Sequence, residues 1–196
     1  MDAILKEAHE LISGEKHFRF WELLLKSETR INGLGREILG DIDERAVISG
    51  KVFLGRGALI KPGSLVEGNV YIGEGSVIGP NAFLRHGTVI APGCHIGSSE
   101  IKNSIILQGS KVPHFSYAGD SVIGMDCNLG AGTKIANLRH DGENVKVKIG
   151  GRLVDSGRRK LGALLFNDVK TGINSSINCG AILLKGIRTR PNEFVK

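Results

Sequence analysis

Four side chains able to exchange protons or hydrogen bonds, His114, Ser116, Tyr117 and Asp120, fall within seven residues of one another, and Lys102 and Lys111 stand close by in the chain. A histidine titrates near neutrality and is the usual side chain for taking a proton from an amine or hydroxyl nucleophile. Lysines beside it suit a phosphate. Taken alone, a loop histidine is more often solvated or a plain hydrogen-bond partner than a catalytic base, so the cluster becomes a site only on a scaffold that holds it.

That scaffold is written in a six-residue rhythm. Nine aliphatic residues recur without a miss: Ile48, Leu54, Ile60, Val66, Ile72, Ile78, Leu84, Ile90 and Ile96. Two places before each stands a small or short residue (Ala46, Val52, Ala58, Ser64, Val70, Ser76, Ala82, Thr88, Cys94), and glycine follows directly at Gly55, Gly73, Gly79 and Gly97. A helical period of 3.6 cannot sustain this spacing, and a plain strand period of 2 needs no turn at every sixth residue. Hexapeptide periodicity belongs to a β-helix, in which each short strand sends one aliphatic inward and a turn residue makes the corner.

Residues 1–39 read as an N-terminal helical cap and 40–196 as the β-helix. Ile4, Ala8, Leu11 and Ile12 form one stripe of a first helix ending near Gly14. A second helical stretch is expected from about Phe18 to Lys26, with Phe18, Trp21, Leu24 and Leu25 on one face. The two helices are expected to cover the open end of the stack, with an oligomer contact as the alternative. The hexad register fails near 99–121, and the step of 27 residues from Ile96 to Ile123 is no multiple of six, which reads as an excursion from the coil. Irregular segments on rigid scaffolds are where chemistry tends to sit. A second excursion, near 138–161, holds Val145, Val147 and Ile149 in alternation with lysines, then Gly150-Gly151, and reads as a β-hairpin standing off the coil. Six-residue spacing returns at Leu165, Thr171, Ile177 and Leu183, with little room for another coil afterwards.

Composition narrows the partners. The 28 glycines suit the repeat corners, and aromatic residues at 5% suit a narrow aliphatic stack. A net charge of +6 without a basic stripe interleaved with aromatics favours phosphorylated small molecules over nucleic acid. Cys94 and Cys127 occupy the small inward position and read as core residues of a reduced, cytoplasmic protein. Neither a signal peptide nor a membrane span is expected from the acidic, amphipathic start.

The run Ser110-Lys111-Val112-Pro113-His114-Phe115-Ser116-Tyr117-Ala118-Gly119-Asp120-Ser121, followed by Asn128-Leu129-Gly130-Ala131-Gly132-Thr133, resembles the acetyltransferase half of the bifunctional N-acetylglucosamine-1-phosphate uridyltransferase/glucosamine-1-phosphate acetyltransferase family. It looks closest to the archaeal-type sugar-1-phosphate relatives, which share Ala136-Asn137-Leu138-Arg139 and Ser156-Gly157-Arg158-Arg159-Lys160-Leu161-Gly162. The resemblance covers roughly residues 40 to 185. It implies an all-β fold class: a left-handed parallel β-helix of hexapeptide repeats, here with a short N-terminal helical cap and a β-hairpin insertion. It also implies an N-acetyltransferase using acetyl-CoA as co-substrate on an amino-sugar 1-phosphate, assembled as a homotrimer. His114 matches the family's general base, and Tyr117 and Asn128 match residues that hold the amino sugar. Arg85 and Lys102 match residues that grip the sugar phosphate, and Lys146, with Lys148 as a rival, matches a further substrate-binding lysine. Ala131 and Asn137 match acetyl-CoA contacts, and Arg158 and Lys160 offer charge for the CoA phosphates. Amides of the Gly130-Ala131-Gly132 turn are candidate oxyanion donors.

Departures from the family pattern are also legible. The chain shows no nucleotidyltransferase domain with a glycine-rich phosphate loop, so uridyl transfer is not expected of it and a separate nucleotidyltransferase partner becomes conceivable. Leu138 replaces an aromatic residue, and Ile173 stands where a CoA-contacting serine is found. A second reading is therefore a non-catalytic scaffold or regulatory subunit that binds a nucleotide sugar or a nucleotidyltransferase. A third, a zinc hydratase of the γ-carbonic anhydrase kind, needs three convergent histidines, and the spacing of His86, His95, His114 and His140 does not resemble that family's. No metal is expected.

Overall fold

The structure, a computed structural model, describes residues 1–14 and 19–196. Its body is a left-handed, three-sided prism of parallel strands. Eight strands stack on the first face, from Glu37–Ile38 to Ile182–Leu183. The second and third faces are continuous at mid-height, because the long strands His95–Lys102 and Lys111–Gly119 each bend around the edge between them. Residues 95–96 pair with the second-face strand Val77–Ile78, whereas 100–102 pair with the third-face strand Phe83–Arg85.

The aliphatic rungs form one core column. Leu54, Ile60, Val66, Ile72, Ile78, Leu84, Ile90 and Ile96 are all fully buried, while Ile48, in the first coil, is only partly covered. The stretch near 99–121 departs from expectation. It does not leave the coil: Ile101, Ile106, Val112 and Ala118 continue the buried column to Ile123. The step of 27 residues is made of sides five residues long, at 96–101, 101–106 and 118–123, mixed with sides of six. A register shift between Ser98 and Glu100 marks the first shortened corner. Dropping one residue at a corner keeps the aliphatic inward while breaking the hexad count, which is why periodicity alone misses it.

The helices are also placed differently. α1 (Asp2–Ile12) buries Ile4, Ala8, Leu11 and Ile12 as its stripe requires. α2 (Phe20–Asn32) buries Phe20, Trp21, Leu23, Leu24 and Ile31, but Leu25 is exposed, and Phe18 lies outside the described residues. Both helices pack on the outer side of the first face, against Val89, Ala91, Ile105, Leu107, Val122 and Leu164, rather than over the end of the stack. The reason lies in the strands: Val89–Ile90, Ile105–Ile106, Val122–Ile123 and Leu164–Leu165 are apolar on both sides, so the outer side needs a cover as the inner one does. Each large apolar side chain withdrawn from water there stabilises the fold by about 2 kcal/mol.

The hairpin is present, with Lys146–Ile149 antiparallel to Arg152–Asp155 and Gly150-Gly151 at the turn. It does not stand free, since Val145 and Val147 are buried in the same layer as the helices. After Leu183 the chain still adds two sides: Arg188 bridges to Lys170, and Phe194–Val195 pairs with Ser176–Ile177. Thr171, the polar rung, is buried with its hydroxyl 2.7 Å from that of Thr133. Cys94 and Cys127 lie in the core as expected, and the three cysteines are free. No helix among the described residues is long and apolar enough to cross a membrane.

Candidate functional site

The strand Lys111–Gly119 carries the chemical residues across the whole third face. His114 stands at the edge shared with the second face, Tyr117 on the face itself, and Asp120 just past the strand at the edge shared with the first face. Phe115 takes a left-handed φ of +49° at the bend and is exposed, as is His114. His114 and Tyr117 are three positions apart, a span of at most about 10 Å, the scale of one sugar ring with a substituent.

Asp120 organises the far edge. Its carboxylate is buried and accepts from Lys102 Nζ at 3.1 Å, Asn103 Nδ2 at 2.8 Å and Asn137 Nδ2 at 2.6 Å. Three donors suffice to offset the loss of water around a buried carboxylate. Asn103, Asp120 and Asn137 occupy the same corner on successive coils, and the first two take left-handed φ values of +46° and +51°. Asn137 also donates to Tyr117 Oη at 3.0 Å. Gly119 makes room for this bond: a Cβ there would lie 2.4 Å from Tyr117 Oη and 2.7 Å from Asn137 Nδ2. Burial, helped by the negative charges of Asp120 and Glu100, pushes the Tyr117 phenol up, so it is a neutral donor near pH 7.

One coil below Lys102, Arg85 lies in register with it. Its guanidinium meets Glu100 at 2.9 Å and Glu67 at 3.7 Å, and the Glu100 bond raises its already high pKa. Both cations assigned to a phosphate are thus paired with carboxylates. A cleft of about 300 Å³ opens here, lined by Glu28, Glu67, Arg85, His86, Lys102 and Asn103 among others.

Other sequence candidates lie elsewhere. Asn128 is on the second face, bridged between Lys111 and Lys170, in a separate cleft of about 380 Å³ with Asp126. Tyr117 and Asn128 therefore face different directions from one chain. Lys146 is exposed on the hairpin and is not joined to the Asp120 cluster among the described residues. Arg158 is committed to the Glu28 carboxylate of α2, and Lys160 is exposed beside Leu138. Ala131 follows His114 by one coil, and the adjacent Gly132 N–H donates to the His114 carbonyl at 2.9 Å. That bond, and the Gly130 N–H donating to Thr171 O at 3.1 Å, correct the expectation that the whole turn offers oxyanion donors: two of its three amides are already used. His95, half-buried on the second face, has its pKa lowered by burial and by the neighbouring Lys61, His114 and Lys111. Among the described residues no group of three or more His, Cys, Asp or Glu is placed to hold a metal.

Glu28, Asn103 and Glu100 were not singled out in the sequence. Only their partners were, and nothing local to α2 signals that one of its carboxylates reaches the edge of a strand seventy-five residues later.

Comparison with known proteins finds several that this chain resembles. The family model of the GMPPB C-terminal domain matches residues 66–156. The bifunctional sugar-1-phosphate nucleotidylyltransferase/acetyltransferase of Sulfurisphaera tokodaii is 49% identical over 158 residues, which are 80% of this chain and 39% of that protein. The bifunctional protein GlmU of Methanococcus maripaludis (strain S2) is 45% identical over 176 residues, 89% of this chain and 41% of that protein. The chain therefore spans about two fifths of the length of these curated relatives. Among solved structures, the acetyltransferase domain of PglB from Neisseria gonorrhoeae FA1090 aligns over 84% of this chain and 59% of its own, with a TM-score of 0.36 and 14% identity. In sequence, the chain is similar to the acetyltransferase half of the bifunctional sugar-1-phosphate nucleotidylyltransferase/acetyltransferases.

Proposed function

We propose that the chain is an acetyl-CoA-dependent N-acetyltransferase acting on an amino-sugar 1-phosphate, glucosamine-1-phosphate or galactosamine-1-phosphate, with His114 as the general base. The observation that carries the reading is the placement of an exposed imidazole at one edge of a face whose other edge holds Lys102, Tyr117 and Asn137 around one carboxylate. The acetyltransferase named in its relatives agrees with it.

In this reading the sugar lies across the third face. Its phosphate takes Arg85 and Lys102 in exchange for part of their carboxylate pairing, and Tyr117 donates to a sugar oxygen. Binding energy from the phosphate fixes the amine near His114. The amine nitrogen attacks the thioester carbonyl, His114 takes the amine proton, the C–N bond forms and the C–S bond breaks. The proton then passes to the departing CoA sulfur. The Ala131 N–H, one coil above His114, is the donor for the transient oxyanion.

Because Tyr117 and Asn128 lie on different faces, one sugar reaches both only if faces of neighbouring copies meet at the His114 edge. A homotrimer with sites between subunits satisfies this. The test is release of free CoA thiol from acetyl-CoA with either amino-sugar 1-phosphate. Activity is expected in the unmodified chain and a loss of about 10²–10⁴-fold in His114→Ala. No CoA release from the unmodified chain, or an unaltered rate in His114→Ala, overturns the reading.

A further inference from the structure

The layer formed by α1 and α2 has a feature that cladding does not require. Glu28, on α2, turns its carboxylate towards the edge of the third face, where it accepts from Asn103 Nδ2 at 2.7 Å and pairs with Arg158. The same Asn103 nitrogen gives its other hydrogen to Asp120 Oδ1 at 2.8 Å. Asp120 Oδ2 in turn takes one hydrogen of Asn137 Nδ2, whose second goes to Tyr117 Oη. An amide nitrogen has two hydrogens, so each asparagine is fully used as a donor and the polarity of the whole chain of bonds is fixed.

That polarity reaches the ligand-facing groups. With Oη accepting from Asn137, the Tyr117 hydroxyl hydrogen is not spent within this network and is left for a ligand. Lys102 spends one direction on Asp120 and keeps its other hydrogens for the cleft. Two carboxylates, Glu28 and Asp120, are balanced by two cations, Arg158 and Lys102, so the cluster is neutral and largely satisfied. Such networks hold a single arrangement when every member is partnered and become loose when one is lost.

We propose that Glu28 of α2 is a positioning residue of this site, acting through Asn103 and Asp120 to hold Lys102 and Tyr117 as donors towards the bound sugar phosphate. The helical layer is then part of the site as well as a cover for the first face. This rests on the functional reading above for the identity of the ligand, while the coupling itself stands on the hydrogen bonds.

The experiment uses the whole chain and two readouts. In steady-state acetyl transfer, Glu28→Ala is expected to raise the KM for the amino-sugar 1-phosphate about fivefold to thirtyfold while kcat and the KM for acetyl-CoA stay within about twofold, the pattern of lost substrate binding. Glu28→Gln, which keeps an acceptor for Asn103, is expected to recover most of the loss. Glu7→Ala, which removes the Glu7–Lys26 pair in the same helical layer, controls for loss of stability and is expected to leave both KM values unchanged. The second readout needs no activity. The chain has two tyrosines, so a Tyr71→Phe background leaves Tyr117 as the single phenol to titrate by ultraviolet absorbance. Glu28→Ala in that background is expected to move the titration of Tyr117 downward as the loosened network admits water, and Glu7→Ala is expected to leave it in place. An unchanged sugar-phosphate KM together with an unchanged Tyr117 titration overturns the proposal, as does an equal effect of Glu7→Ala. If the unmodified chain transfers acetyl to no amino-sugar 1-phosphate, the functional reading falls, and the Tyr117 titration alone decides whether Glu28 is coupled to the site.

Discussion

Asn137 donates to the hydroxyl of Tyr117 across 3.0 Å, which makes that hydroxyl an acceptor inside the protein and a donor towards whatever occupies the third face. The sequence resemblance places Asn137 among acetyl-CoA contacts. In the structure its side-chain nitrogen is spent on Tyr117 and Asp120, which leaves the side-chain oxygen Oδ1 for a ligand.

Tyr117→Phe therefore removes one neutral donor and leaves the ring in place. A hydrogen bond of this kind contributes about 0.5–1.5 kcal/mol, so the KM for the amino-sugar 1-phosphate is expected to rise roughly twofold to tenfold with kcat little changed. Steady-state kinetics at varied sugar phosphate checks it, and a fall in kcat alone would contradict the assigned role.

Glu100→Gln should act in the opposite direction. Glu100 competes with any phosphate for Arg85, but both partners are about a third exposed, at 38% and 34%, so solvent screens the pair. The gain is accordingly modest: affinity for the sugar phosphate is expected to increase about twofold to fivefold at low salt and to converge with the unmodified chain at high salt. Calorimetric titration at two ionic strengths measures this.

Asp120→Ala strands the partly buried Lys102 ammonium and two asparagine amides. Breaking a buried pair in this way costs about 3 kcal/mol or more, far beyond the effect of an exposed pair such as Arg188–Asp168. Urea unfolding of Asp120→Ala beside Asp168→Ala is expected to show a large loss for the first and a change under about 1 kcal/mol for the second.

Burial pushes the Cys94 thiol up to about 12 and the Cys127 thiol to about 11. Because the thiolate is the reactive form, a disulfide reagent at pH 8 is expected to titrate at most Cys179 in the folded protein and all three thiols in urea. The sign of the linkage follows from the same shifts. In the folded state these thiols hold their protons beyond the ordinary value of 9.0, so their contribution to stability is complete below about pH 9 and is lost as the pH rises from 9 towards 12. Unfolding free energies measured between pH 8 and 11 are expected to fall accordingly, and to fall less in a Cys94→Ala, Cys127→Ala double variant.

The sequence alone determined the inward column from Ile48 to Ile96, the stripe of α1, the hairpin turning at Gly150-Gly151, and the grouping of His114, Ser116, Tyr117 and Asp120 in one short stretch. These are local matters: periodicity records which side chains must leave water, and turn residues record where the backbone reverses. Tertiary structure decided the rest. The five-residue sides at Ile101, Ile106 and Ile123 keep the core continuous where the hexad count breaks, because burial selects the inward side chain and not the interval. The helices cover the first face rather than the end of the stack, since the outer side of strands such as Ile105–Ile106 is apolar too. Glu28 and Asn137 become members of the site through bonds to residues seventy-five positions and one coil away. A solenoid brings outward side chains together by stacking coils about 4.8 Å apart, and that vertical neighbour is invisible to any pattern read along the chain.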